Sequence, residues 1–360
     1  MQNRNSGHSN NLIRHLTLLL VVLFALSAAG CGGGDEPQQS NSQTDNSTAA
    51  TDPSLLTELW QTSPITTLQS DRQKLFPAIQ EAADNCSNTV FKSYLAADNT
   101  VAAALEKSYP ILEAYNSSFD RVLNALKSDR PAQGEVFVYM LYNMGYVIKT
   151  ADGAFAIDIF HRRAKELAPY IDFYAITHIH NDHKSVDLAQ AMQNLGKPVL
   201  ANFAIDGVAA TYISDAQKDY EIGPFKIHSF ITNHNNSATA NVNVTVYKID
   251  CGSNAGNCII MHSGDSNFIA SQYATVSDSK VDIYIPRYAP NALTENNVIG
   301  EVITPGYVLL SHILELTHAD VSESRWSLDL GLQRANALNC SNSYMPFWGE
   351  RMVWKNGVLK

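Results

Sequence analysis

The chain has 360 residues, 45% of them hydrophobic and only 17% charged, which excludes a disordered or fibrous protein. That length leaves room for one large core or two ordinary ones. The formal net charge is −10 and no basic stripe is visible, so nucleic acid is excluded as an expected partner. At the amino end Arg4 and Arg14 sit in a polar start, followed by an apolar run from Leu16 to Leu26 and then Ser27-Ala28-Ala29-Gly30-Cys31. A basic flank, a short apolar segment and small residues before a cut site make residues 1–30 a secretory signal peptide. The run is shorter than the roughly 20 apolar residues of a membrane span. The alternative is an uncleaved anchor helix. Residues 31–53 are poor in large apolar side chains and cannot offset their ordering entropy, so they read as a flexible tether.

Ala28-Ala29-Gly30-Cys31 resembles the lipobox of bacterial lipoproteins, with Ala28 standing where Leu is usual. The resemblance implies a lipid on Cys31 that holds an exported domain on a membrane. Gly32 follows the cysteine where Asp would retain the protein at the inner membrane. The implied place is therefore the outer membrane, facing the periplasm or the surface. The other four cysteines, Cys86, Cys251, Cys258 and Cys340, would then meet an oxidising compartment. Cys251 and Cys258 flank a turn between two strand-like runs, so a disulfide there is expected, leaving Cys86 with Cys340. A zinc cluster is the alternative, although no Cys-x-x-Cys pair exists.

Residues 54–130 have helical spacing, as in Ala104, Leu105, Tyr109, Leu112 and Tyr115, with a break expected at Pro110. No catalytic constellation occurs there, and the segment reads as a helical extension packed on residues 131–360. From Gly134 the pattern becomes short apolar runs between turns. Val136–Tyr142, Gly145–Ile148 and Ala154–Ile159 are predicted strands, with a hairpin turn at Ala151-Asp152-Gly153. Further strands are predicted at Tyr174–Thr177, Pro198–Ala201, Phe225–Thr232, Val242–Ile249, Cys258–Met261, Val281–Ile285 and Val308–Ser311. Helices are predicted at His161–Leu167, Ser185–Leu195, Asn267–Ala274 and Val321–Leu338. This mixture argues an α/β layered domain.

The string Thr177-His178-Ile179-His180-Asn181-Asp182-His183 directly follows a predicted strand. Alternation about Ile179 aims the His178 and His180 imidazoles the same way, and Asp182 and His183 come from the turn beyond. Neutral imidazole and carboxylate suit zinc or a similar borderline ion. The bland alternative is a polar loop with fortuitous histidines.

This His-x-His-x-Asp-His string resembles the metal-binding signature of the metallo-β-lactamase-fold hydrolases. Other marks of that superfamily follow in order: Asp158 in Phe155-Ala-Ile-Asp158, His234 in Phe230-Ile-Thr-Asn-His234, Gly264-Asp265 after a strand, and His312 in Val308-Leu-Leu-Ser-His312. Tyr142–Lys149 also looks like the strand pair that opens this fold. The resemblance implies an αββα sandwich, two mixed β-sheets between helices, with the helical extension at its amino end. It further implies two zinc ions per chain, with iron or manganese as alternatives. One ion would be bound by His178, His180 and His234, and the other by Asp182, His183 and His312, with Asp265 bridging. Asp158 would brace the ligand loop, or else cap a helix at His161. His228 and His262 are left out, and His318 is a candidate for the pocket mouth.

By the same resemblance a hydroxide between the two ions would attack a small-molecule ester, lactone, thioester or phosphodiester. Asp182 and Asp265 would be its catalytic carboxylates, Asp182 passing a proton to the leaving group. β-Lactam-opening members generally lack the bridging Asp, and di-iron oxidoreductases usually have Glu where His180 stands. A mononuclear iron enzyme similar to persulfide dioxygenases, and a catalytically inert metal-binding surface lipoprotein, are the remaining alternatives. Tyr344–Trp348 and the Trp60 region are candidates for pocket walls that grip an apolar substrate, although ordinary core packing is the first expectation for these aromatics.

Overall fold

Caps and apolar spacing set the first helices. The computed structural model describes residues 55–62, 70–209, 212–234, 242–288, 298–318 and 325–360, so the expected signal peptide, Cys31 and the expected tether lie outside the described residues. The helices begin with α1 (Ser70–Gln73), α2 (Phe76–Asp84), α3 (Asn88–Ala96), α4 (Asn99–Ser108) and α5 (Pro110–Ser128). Ser87 caps α3 by accepting the Val90 N–H, and Asp98 caps α4 by accepting those of Thr100 and Val101. Pro110 takes the first position of α5, where it has no helical bond to lose, so the expected break falls at Tyr109. Tyr115 on α5 joins the main core, while Phe119, Val122 and Leu126 cover the outer face of the first sheet.

The strands are β1 (Glu135–Met140), β2 (Tyr146–Lys149), β3 (Ala154–Ile157), β4 (Phe173–Ala175), β5 (Val199–Ala201), β6 (Tyr212–Ile213), β7 (Lys218–Ile222), β8 (Phe225–Asn233), β9 (Asn243–Asp250), β10 (Ile259–His262), β11 (Ile283–Ile285), β12 (Tyr307–Leu309), β13 (Ser343–Tyr344), β14 (Arg351–Lys355) and β15 (Val358–Leu359). They form an eight-stranded sheet, ordered β15-β14-β1-β2-β3-β4-β5-β6, and a seven-stranded sheet, ordered β13-β12-β11-β10-β9-β8-β7. Both are mixed. In the first, β14, β1, β2 and β3 are antiparallel and β3 to β6 parallel. In the second, β7 to β10 are antiparallel and β10 to β13 parallel.

The sheets face each other. Phe155 and Phe173 stack on the first at 4.8 Å, and Phe225 of the second meets them edge-on at 5.1 and 5.6 Å. Residues of α6 (Val186–Asn194) join α5 behind the first sheet, and α7 (Leu328–Ala337) packs beside β13 of the second. This is the two-sheet α/β architecture that the motifs implied, with helices at its amino end.

Several local expectations change. The segments expected as helices at 161–167 and 267–274 are 3-10 turns at Ala164–Tyr170 and Ala270–Val276. In the first, Pro169 removes a donor that an α-helix would need. Strand β7 escapes the alternation pattern because it buries only Tyr220 of its residues. Helix α7 starts at Leu328, where Ser327 accepts the Leu330 N–H, and residues 319–324 lie outside the described residues.

Buried polar anchors weld the extension to the sandwich. The Arg72 guanidinium grips both carboxylate oxygens of Glu350 and donates to the Met345 carbonyl at 3.0 Å. Arg325 donates to the carbonyls of Ala83 and Cys86, and Trp60 Nε1 donates to the Trp348 carbonyl at 2.7 Å. Trp348 and its neighbours are therefore spent on packing and not on a pocket wall.

The expected disulfides are not formed: Cys86, Cys251, Cys258 and Cys340 are thiols. Cys251 and Cys258 do close the β9–β10 connection, through a backbone bond of 3.0 Å and a contact between their buried thiols. Cys86 lies beside Arg325, ahead of α7, and Cys340 lies beyond its far end against Pro305. Ten residues of helix span about 15 Å, and a disulfide needs Cα atoms within about 7 Å.

Candidate metal centre

Strand direction gathers the candidate side chains. Asp158 follows β3, residues 178–183 follow β4, His234 follows β8, Asp265 comes after β10 and His312 after β12. Within each sheet those strands run the same way, so their carboxyl ends share one edge, where α/β folds place ligands.

There the donor atoms converge. Three overlapping groups, His178–His180–His234, His178–His183–Asp265 and Asp182–His183–His312, each hold ligand atoms within 4.8 Å of one another. His183 Nε2 lies 3.2 Å from Asp182 Oδ2 and 3.4 Å from Asp265 Oδ1. His234 Nε2 and His312 Nε2 lie 3.1 and 3.4 Å from Asp265 Oδ2. Asp265 thus stands between the two outer groups.

Asp158 sets the orientation of two of these rings. Its Oδ1 accepts the Thr177 N–H at 2.8 Å, and its Oδ2 accepts the Thr177 hydroxyl at 2.7 Å and His183 Nδ1–H at 2.9 Å. With its proton committed to Asp158, Thr177 Oγ1 accepts from His178 Nδ1 at 3.0 Å. Both rings therefore keep a proton on Nδ1, so that Nε2 is the nitrogen left to offer a lone pair, on His183 once its second proton is displaced. The buried Nε2 of His178 has no hydrogen-bond partner and that of His183 faces only the Asp182 and Asp265 carboxylates, an arrangement that suits metal ligands supported from behind by a carboxylate. Asp158 caps no helix.

The backbone is held in uncommon conformations here. Asp158, His312 and Asn143 have φ of 49, 63 and 60°, the kind of local strain that clusters at functional sites. Gly264, at φ 47°, lies so close to Thr177 that a Cβ would come within 2.4 Å of Thr177 Oγ1.

Electrostatics match a cation-binding cluster. Burial and the neighbouring His183 push His178 well below the usual imidazole range. Burial opposes a charge on His183, yet Asp265, Asp182 and Asp158 outweigh it and hold His183 well above that range. His312 is likewise buried, but Asp265 and Asp182 raise it to about 8. Asp265 is buried and Asp182 largely so, which opposes their charge, yet the facing imidazoles hold both carboxyls far below the usual range. Protons on imidazole thus do what dications would do better. The donor set fits metal ions, and the buried imidazole and carboxylate clusters are candidate metal sites.

No protein-family model matches the chain, and no curated protein matches it. Its likenesses are to solved structures. CmlA, a diiron β-hydroxylase from Streptomyces venezuelae, is 13% identical with a TM-score of 0.45, over 62% of this chain and 54% of its own. The chain thus spans about half of CmlA. Igni18, a metallo hydrolase from Ignicoccus hospitalis, is 13% identical with a TM-score of 0.43, over 61% of this chain and 99% of its own. The metallo-β-lactamase fold protein YhfI from Bacillus subtilis is 16% identical with a TM-score of 0.42, over 62% of this chain and 100% of its own. Identities this low carry nothing about reaction or substrate.

Two histidines set aside in the sequence stay outside the cluster. His228 bonds Asp219 at 2.6 Å and Thr275 at 3.0 Å, beside a separate hollow of about 400 Å³ on β7–β9. His262 donates from Nε2 to the Met144 carbonyl at 2.9 Å. His318 does line the mouth: a cavity of about 660 Å³ is walled by it together with His180, Asp182, Phe160 and, from α3, Lys92 and Leu95.

Three contributors were not singled out in the sequence. Asn143 Nδ2 donates to Asp182 Oδ2 at 3.0 Å, and its carbonyl accepts the His312 N–H at 3.2 Å. Arg287 ties the His234 and Ser266 carbonyls together at 3.1 Å each. Thr177 relays Asp158 to His178. An Asn before Gly145 in a tight β1–β2 turn is the one signal that pointed to Asn143; nothing in the sequence marks Arg287.

Proposed function

We propose that the chain is a metal-dependent hydrolase of the metallo-β-lactamase fold. One ion would be held by His178, His180 and His234, and the second by Asp182, His183 and His312, with Asp265 reaching both. The observation that carries this reading is the pair of buried Nε2 atoms, that of His178 without a hydrogen-bond partner and that of His183 facing two carboxylates, both held toward Asp265 by the Asp158–Thr177 support. When bound, two zinc ions supply hydroxide near neutral pH and stabilise developing negative charge. The protein's own part is positional. Asp158 and Thr177 orient the rings, Asn143 orients Asp182, and Asp182, at the cavity wall, can accept a proton and return it to a leaving group. Substrates are small molecules with an ester, lactone, thioester or phosphodiester bond.

Metal analysis of the purified chain, paired with a substrate panel of those four classes, tests this. We expect about two equivalents of metal, and His180→Ala to lose at least one of them together with all turnover. Full occupancy and retained turnover in that variant would overturn the assignment. The basic, apolar and small-residue leader ending at Cys31 supports export as a lipoprotein held at the outer membrane. Labelled palmitate that still enters a Cys31→Ser chain would refute that part.

A further inference from the structure

The cavity at the metal cluster is not walled by the sandwich alone. Helix α3 of the amino-terminal extension supplies Lys92 and Leu95 to it. These stand three residues apart and so share one helix face, while Phe91 and Tyr94 turn into the core. Phe160 and Val186 complete an apolar wall, and Lys184 and His318 stand at the polar rim.

The charges of this mouth run against those of the chain. The protein carries a net charge of −10 and should repel anions at a distance. Among the described residues that line the cavity the one acidic side chain, Asp182, is turned to His183 and His312 at 3.2 and 3.5 Å, so its charge faces the cluster. The Lys184 ammonium is taken up by the Ile179 carbonyl and lies over the Phe203 ring. Lys92 is exposed and makes no ion pair among the described residues. A cation with no ion pair among the described residues, beside an apolar wall and in the same cavity as the candidate metal ligands, suits a negative group joined by a hydrocarbon stretch to the reacting bond.

We propose that the substrate is an anionic amphiphile of small size, whose carboxylate or phosphate tail is held by Lys92 while Leu95, Phe160 and Val186 cover its apolar middle. The extension then selects the substrate for the catalytic sandwich. This rests on the hydrolase reading for the bond that is broken, but not for the binding of the tail.

Calorimetric titration of the metal-loaded full chain with α,ω-dicarboxylates from succinate to suberate, each against the monocarboxylate of equal length, decides it. At one or more lengths the diacid should bind about fivefold tighter, the size of one favourable charge pair, and the advantage should vanish in Lys92→Gln and fade at about 0.5 M salt. A matched phosphono-carboxylate series tells which anion is preferred. Equal affinities for diacid and monoacid at every length in the wild type, or an advantage that survives Lys92→Gln, overturns the proposal. Nitrophenyl esters of the same acids separate the two ideas. A diacid preference without any ester turnover sinks the hydrolase reading alone, and turnover without that preference sinks the tail subsite alone.

Discussion

Asp158→Asn is the most informative single change, because it keeps shape and alters only charge and donor count. Asn tolerates the left-handed backbone that Asp158 adopts at φ 49°, so the main chain need not move. The carboxylate accepts three hydrogen bonds, one at Oδ1 and two at Oδ2. An amide offers an NH2 in place of one oxygen. Placed at Oδ1, it opposes the Thr177 N–H. Placed at Oδ2, it forces His183 Nδ1 to accept, which moves the imidazole proton to the Nε2 that should ligate. Either way one buried donor loses its acceptor, at about 1–3 kcal/mol. Loss of such a support behind a ligand histidine typically weakens metal binding by about 10–100-fold. Urea unfolding of the metal-free protein and chelator competition for zinc measure the two effects separately. Zinc affinity within twofold of wild type, with ordinary stability, would refute the orientation argument.

Three further outcomes are expected. His312, raised to about 8 in the folded metal-free protein from an ordinary 6.5, contributes stability below pH 6.5 that is lost as pH rises through 8. His312 alone should therefore withdraw about 2 kcal/mol from the metal-free chain across that range, and His183, also held above the usual imidazole range, adds to the loss, while zinc affinity rises because fewer protons must be displaced; denaturation and chelator titrations at several pH values check both signs. Gly264→Ala drives a Cβ to 2.4 Å from Thr177 Oγ1 at a left-handed φ, and should cost about 2–5 kcal/mol in unfolding experiments. Wild-type stability in that variant would mean the close approach is absent. Arg72→Ala strands the buried Glu350 carboxylate and should cost about 3–5 kcal/mol. A single cooperative melt lowered as a whole is expected, since the pair joins the extension to β14; a melt of the extension alone would contradict the welded arrangement.

Much of the site was legible along the chain because its chemistry is local. Alternation around Ile179 and the strand-end placement of Asp158, His234, Asp265 and His312 depend on short stretches of sequence. Those residues are the ones whose imidazole and carboxylate atoms meet. Helix limits at Ser87, Asp98 and Pro110 are local signals too. By contrast, β7, β13 and β15 are too short or too polar to betray themselves, and they exist because a neighbouring strand offers its edge.

By itself the sequence determined which residues carry donor atoms and which segments extend or coil, since both follow from side-chain type and periodicity. Only the tertiary structure decided that Lys92 reaches the cavity, that Asn143 and Arg287 hold the loops of the candidate site, that Trp60 packs against the core beside the buried Trp348, and that the four cysteines after Cys31 form no disulfide. Those facts depend on distances between segments far apart in the chain, and packing of the two sheets and the extension sets them.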